Sequence, residues 1–316
     1  MRRSLLLLIA PLLAVLACQL TVPDYTGGGG TVGGGGGSGA DGGTVDGGVQ
    51  PTGGSIEGDL RFKLATDSPT YTSEVRQVAS DVGTAAYGLA NNGNTLAAMT
   101  KSSAGFTLLG IHPTQSPRTY VSQVQQASGG GVATALQSLS QSGYLTTGFT
   151  YDDTNGYVLV GIRDVAASPA LGSTVQFVDG TTLSAAATQM GNGGYAITGM
   201  ALNSSGVYAL IGLRNTNSTV TYQSDVRVVT ATQLPTAVQS LANTGFVVTA
   251  LTHNGSGFVL VSQKVTNSTR VFGANVQQVS GTDLASTLNT LGSVGYVVTA
   301  AYSSDALNSY VVIGTK

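Results

Sequence analysis

From about residue 71 to the C-terminus, one pattern of apolar and polar positions recurs roughly every fifty residues. Each repeat opens on a Val-led segment: Val75-Arg76-Gln77-Val78, Val124-Gln125-Gln126-Ala127, Val175-Gln176-Phe177-Val178, Val226-Arg227-Val228-Val229 and Val276-Gln277-Gln278-Val279. These segments alternate weakly, as a half-exposed strand does. A helical spacing follows, with Leu234, Val238 and Leu241 on one face in the fourth repeat and Leu284, Leu288 and Leu291 in the fifth. Gly93, Gly143, Gly194, Gly245 and Gly295 end these stretches, where a helix C-terminus turns left-handed. A second strand is predicted over 144–150, 195–201, 246–252 and 296–302. Polar turns such as Asp153-Thr154-Asn155-Gly156 and Asn203-Ser204-Ser205-Gly206 then read as hairpins. The repeat closes on an aromatic-led run, as in Tyr157-Val158-Leu159-Val160-Gly161 or Tyr310-Val311-Val312-Ile313-Gly314. That run is nearly continuous in apolar residues, so both its faces should be covered.

The expected fold is therefore α+β, with five tandem strand-helix-strand-strand units near 71–117, 118–168, 169–219, 220–269 and 270–316. Residues 60–64 stand where a third strand would stand in a preceding unit. The first unit would then begin half-way through a blade and the last end half-way through one. Offset ends of this kind pair to close a propeller-like ring and hide the sheet edges, and an open arch or half-propeller is the alternative.

Residues 1–58 read differently. Arg2 and Arg3 precede an apolar run over 5–16 that is too short for a comfortable membrane span, the layout of a removable signal over 1–17. Its end, Val15-Leu16-Ala17-Cys18, resembles the lipobox of bacterial lipoproteins. The resemblance implies cleavage before Cys18, acylation of its thiol and of the new amino terminus, and anchoring by two or more acyl chains. With Gln19 rather than Asp after the Cys, it further implies the outer membrane. Then 17 of the 32 residues from 27 to 58 are Gly. Such a stretch cannot bury enough apolar surface to offset its backbone entropy, so 18–58 is expected to be a flexible tether spanning about 35 Å as a coil.

The repeats, over 59–316, resemble two families more distantly. Five units built of three strands and a helix resemble the five-fold pentein α/β propeller. The order of helix, Gly-aromatic (Gly143-Tyr144, Gly194-Tyr195, Gly245-Phe246, Gly295-Tyr296), hairpin and strand resembles the bacterial tandem repeats found beside polyglycine hydrolase catalytic domains, which form a half-propeller. Many catalytic penteins use a Cys nucleophile with His, and these repeats hold no Cys, so that activity is not carried over. The Trp residues expected in the second family are also missing.

Composition narrows the chemistry. One Cys excludes a disulfide scaffold, and with two His it argues against a structural zinc site. Thirteen Lys and Arg face 15 Asp and Glu, which leaves no basic surplus for nucleic acid. Lys63, His112, Arg163, Arg214, Lys264 and Lys316 nevertheless share one phase of the repeat. If the units curve, this column lines a rim that could bind phosphates or carboxylates of an anionic envelope glycan or polymer. The bland alternative is that strand ends take polar terminators. A Thr column, Thr147, Thr198, Thr249 and Thr299, reads as strand propensity. A small-residue column, Gly110, Gly161, Gly212, Ser262 and Gly314, suggests strands converging near an axis. Asp152 to Gly156 lacks the spacing of a calcium loop, and His253 reads as a surface residue in a turn. Asp152, Asp179, Asp225 and Asp283 fall at different phases, which argues against a shared catalytic rim. No catalytic group, cofactor or metal is expected. The functional expectation is a non-catalytic binding or adhesion module, anchored through Cys18 to the membrane of the bacterial envelope. A structural lipoprotein with a protein partner and a hydrolase are the alternatives.

Overall fold

The computed structural model describes residues 70–114, 118–166, 169–305 and 309–316. Cys18, the tether, Lys63 and the front strand expected at 60–64 lie outside the described residues. Over these described residues the fold is α+β: five three-stranded antiparallel sheets, each with one ten-residue helix, arranged as repeats.

The first unit holds β1 (Tyr71–Val78), α1 (Val82–Asn91), β2 (Thr95–Ser102) and β3 (Gly105–Pro113). The second holds β4 (Tyr120–Ala127), α2 (Val132–Gln141), β5 (Leu145–Asp152) and β6 (Gly156–Asp164). The third holds β7 (Leu171–Val178), α3 (Leu183–Asn192), β8 (Ala196–Leu202) and β9 (Tyr208–Asn215). The fourth holds β10 (Tyr222–Val229), α4 (Leu234–Asn243), β11 (Val247–His253) and β12 (Phe258–Val265). The fifth holds β13 (Ala274–Ser280), α5 (Leu284–Ser293), β14 (Val297–Ser304) and β15 (Ser309–Thr315).

In every sheet the third strand lies in the middle, in the order β1-β3-β2 and its four equivalents. This explains the apolar run: Leu108, Leu159, Leu210, Leu260 and Val312 are fully buried because helices and neighbouring units cover both faces of a central strand. It also corrects the expectation of blades shared between the chain ends. The Val-led strand of the last unit, β13, pairs with β15 of the same unit, Val276 opposite Ile313, so each sheet is complete within its own fifty residues. Unlike a βαβ crossover to a parallel neighbour, the helix here returns the chain to the far edge and leaves a slot that the hairpin fills.

Local sequence accounts for each element. α4 and α5 bury Leu234, Val238 and Leu241, and Leu284, Leu288 and Leu291, as their spacing predicts. All five helix-ending glycines have positive φ, from 74° at Gly93 to 86° at Gly245, where a Cβ would be strained. Asp81 caps α1 by accepting from the Thr84 amide at 2.9 Å, and hydrogen bonds from Thr84 hold its carboxyl below the usual carboxylate value. Asp179 closes the turn into α3, where the Thr181 hydroxyl and then the Thr182 amide hold its carboxyl down likewise.

Between units the packing is regular. Each helix lies against the first strand of the next unit, α1 on β4, α2 on β7, α3 on β10 and α4 on β13, while α5 lies against β1. The second strands adjoin in the same sense, β2 with β5, β5 with β8, β8 with β11, β11 with β14, and β14 with β2. Tyr71, Leu109 and Ile111 of the first unit share one apolar cluster with Leu284, Leu288, Leu291 and Val312 of the last. Polar contacts cross the same seam: the Ser73 amide donates to Asn289 Oδ1 at 2.8 Å, and Gln77 Nε2 donates to the Tyr310 hydroxyl at 3.0 Å.

Candidate functional site

All five second strands carry a bulge at the same position, after Leu96, Thr146, Ile197, Val248 and Val298. The bulged residues are Ala97 and the Thr column, Thr147, Thr198, Thr249 and Thr299, all buried. The column is thus more than strand propensity. Thr147 Oγ1 donates at 2.7 Å to the Leu96 carbonyl of the preceding unit, satisfying a carbonyl beside a disrupted ladder. The next residue is always small: Ala98, Gly148, Gly199, Ala250 and Ala300. A Cβ on Gly148 would stand 2.5 Å from Leu96 Cδ2 of the preceding unit, and one on Gly199 would stand 2.8 Å from Phe149 Cβ. This is the column at which units converge, and the sequence reading missed it. The glycines assigned to that role do something else. A Cβ on Gly161 would stand 2.8 Å from Tyr144 Cβ and one on Gly110 would stand 2.8 Å from Leu89 Cδ2, so they admit the helix and the residue after its C-terminus within their own unit.

Beyond the bulges the second strands open into a pocket of about 310 Å³ to which every unit contributes. Met99, Phe149, Met200, Leu251 and Ala301 supply equivalent apolar positions, and Tyr151, His253 and Tyr302 supply rings. His253 was expected on the plain surface. It is half-buried at the end of β11, its ring stacked on Tyr302 at 5.9 Å and 28° and set edge-on to Phe258 at 5.1 Å. Its Nδ1 accepts from the Gly255 amide at 3.1 Å, which in the neutral ring leaves Nε2 as the protonated donor. Burial, and secondarily the Asp305 carboxylate, push the Tyr302 hydroxyl above its ordinary pKa, so it remains a donor at neutral pH. Neither the Tyr151 nor the Tyr302 hydroxyl has a protein partner among the described residues. The mouth is held together across units. Lys101 faces Asp152 at 3.5 Å and donates to the Ser102 carbonyl at 2.7 Å, Ser303 Oγ donates to the Lys101 carbonyl at 2.9 Å, and the Ser103 amide and hydroxyl donate to Asp305. Asp153 is exposed at the rim. The pocket thus combines an apolar floor, ring walls, and the Tyr151 and Tyr302 hydroxyls beside the His253 ring. Among the described residues no three of His, Cys, Asp and Glu stand close enough to hold a metal.

The basic column lies at the other end of the sheets, where the helices end. Arg163 donates to the Ser142 carbonyl at 3.1 Å, Arg214 to the Gly193 carbonyl at 3.2 Å and Lys264 to the Thr244 carbonyl at 3.1 Å, each the carbonyl of a helix C-cap residue. His112 Nδ1 meets the Gly93 carbonyl at 2.6 Å. Arg163, Arg214 and Lys316 stand over Tyr144, Tyr195 and Tyr296, the residues after the turning glycines, at 5.1, 4.8 and 4.7 Å. Each cation thus complements the negative end of its own unit's helix.

No protein-family model matches this chain, and no curated protein matches it significantly. Among the described residues no helix is long and apolar enough to cross a membrane.

Proposed function

We propose that the chain is a non-catalytic binding module, held at the bacterial envelope by lipid on Cys18, whose five units close as a propeller-like ring around a central ligand pocket. The closure reading is supported by the regular helix-to-strand packing, which runs through α5 and β1 without a break, and by the adjoining of β14 with β2. The binding reading is carried by one observation: the pocket is lined by equivalent positions of all five second strands. Its volume is at the lower end of the usual range for small-ligand sites.

The ligand we assign is a neutral envelope glycan. A sugar ring presents one apolar face to Tyr302 or His253 and hydroxyls to their free donors. The rim disfavours an anionic ligand, because Asp152, Asp153 and Asp305 stand against Lys101 alone. The mature chain carrying Cys18→Ser, applied to an array of envelope glycans, should bind a neutral sugar. Tyr302→Ala and His253→Ala should each weaken that binding at least about tenfold. Binding that both variants retain in full would remove the pocket from the reading. The anchor is tested separately: the wild-type chain should partition into detergent with an acylated Cys18 as its first residue, and Cys18→Ser should stay in the aqueous phase.

A further inference from the structure

The described residues carry as many Lys and Arg as Asp and Glu, but the two signs are sorted by end. At the end where helices finish and third strands stop lie Arg118, Arg163, Arg214, Lys264, Arg270 and Lys316, against Asp164 alone. At the hairpin end, around the pocket and the helix starts, lie Asp81, Asp152, Asp153, Asp179, Asp283 and Asp305, against Lys101 alone. The remaining charges pair within strands, Arg76 with Glu74 and Arg227 with Asp225. Side-chain charges of +5 and −5 thus face opposite ways along the sheets. Helix dipoles reward this sorting locally, yet Arg118 and Arg270 sit in loops between units.

Of the seven large apolar side chains exposed among the described residues, four lie at the basic end; Tyr87 is on a helix, and Phe177 and Val228 are near the hairpin end of edge strands. Val165, Val265, Val271 and Val294 are 55, 36, 64 and 55% exposed; Val265 ends a third strand, Val165 and Val271 follow third strands, and Val294 caps a helix at the basic end. Arg214, Arg270 and Lys316 at the same end are exposed, and Arg270 adjoins Val271 in sequence. Exposed valines interleaved with cations match the boundary of an anionic bilayer, where headgroup phosphates meet acyl chains. A soluble polyanion would use the cations alone. The chain also enters the described fold at this end, since Tyr71 opens β1 opposite Pro113.

We infer that the basic end is a membrane-facing surface, which docks on phosphate-bearing lipid headgroups and turns the acidic pocket mouth away from the bilayer. The inference rests on the envelope-anchored reading, but neither the acyl chains nor the pocket takes part in its test. The mature chain carrying Cys18→Ser should sediment with phosphatidylglycerol vesicles and not with phosphatidylcholine vesicles, and should be released by salt. Arg214→Gln, Arg270→Gln and Lys316→Gln should each lower the partition coefficient about fivefold, and together about a hundredfold. Because these cations also stack on rings, a second variant guards against misfolding. Val271→Asp with Val294→Asp alters only exposed positions and should abolish sedimentation, while Val228→Asp, 59% exposed on β10, should leave it unchanged. Equal binding to both vesicle types, no binding to either, or full binding by the Val271→Asp, Val294→Asp chain would overturn the inference. So would capture by soluble heparin without any vesicle binding.

Discussion

Gly292→Val should destabilise the domain by about 1–3 kcal/mol or more and should disturb both ends of the chain together. Gly292 lies in the last turn of α5, and a Cβ there would be driven into the carbonyl oxygen of Tyr71, which lies more than two hundred residues earlier. The obstacle is backbone, and it cannot swing aside as a side chain would. Tyr71 is fixed by its pairing with Pro113, and its own ring is buried against α5. Gly191 provides an internal comparison. It occupies the equivalent place in α3, and a Cβ there would meet the Tyr222 carbonyl of the next unit in the same way. Hydrogen exchange separates the two. Gly191→Val should lose protection in α3 and β10, and Gly292→Val should lose it in α5 and β1. If β1 keeps full protection in Gly292→Val, the packing of the last unit on the first is absent in solution.

The repeat was legible because its signals are local. Apolar spacing gave α4 and α5, the turning glycines gave the helix ends, and the polar turns gave the hairpins. Strand order was not legible, because antiparallel pairing is a long-range choice. The apolar run said that the third strand is covered on both faces, but not that it slides between the first two strands of its own unit. That omission produced the expectation of half-blades shared by residues 60–64 and the C-terminus. The Thr column was visible, but its bulge shows only in the register shift between strands, and the neighbouring column of Gly148 and Gly199 was overlooked. A pocket formed by side chains from five repeats has no signature within one. Tyr302 stands one position earlier in its unit than His253 does, so aligned repeats do not bring out their stacking. The sorting of charge escaped notice for a related reason. Asp152, Asp179 and Asp283 occupy different phases of the repeat, yet hairpin turns and helix starts lie at the same end of each sheet.

A chain ending at residue 269 should lose the cooperative fold of all five units and not the last alone. In an open array, stability is close to a sum over units and their neighbour interfaces, so a terminal unit takes with it only itself and one interface. Here the fifth unit covers two faces. Leu284, Leu288 and Leu291 bury Tyr71, Leu109 and Ile111 of the first unit. Ala300, Val311 and Ile313 cluster with Leu234, Val238, Leu251 and Leu260 of the fourth. A buried side chain of this size returned to water forfeits about 1.5–3 kcal/mol. Re-exposing several at each of two faces matches the about 5–15 kcal/mol that holds an ordinary domain together. The truncated chain should therefore keep far-UV circular dichroism, lose near-UV signal and bind hydrophobic dyes. A chain permuted to begin at Thr219, with Lys316 joined to Thr70 by a short Gly-Ser linker, should instead retain the cooperative transition. Thr315 pairs with Ala274, and Tyr71 pairs with Pro113, both at the same end of their sheets, so the join follows the existing seam. An open arch predicts the reverse pair of results, a truncation that unfolds cooperatively a few degrees lower and a permutant broken at its only free interface.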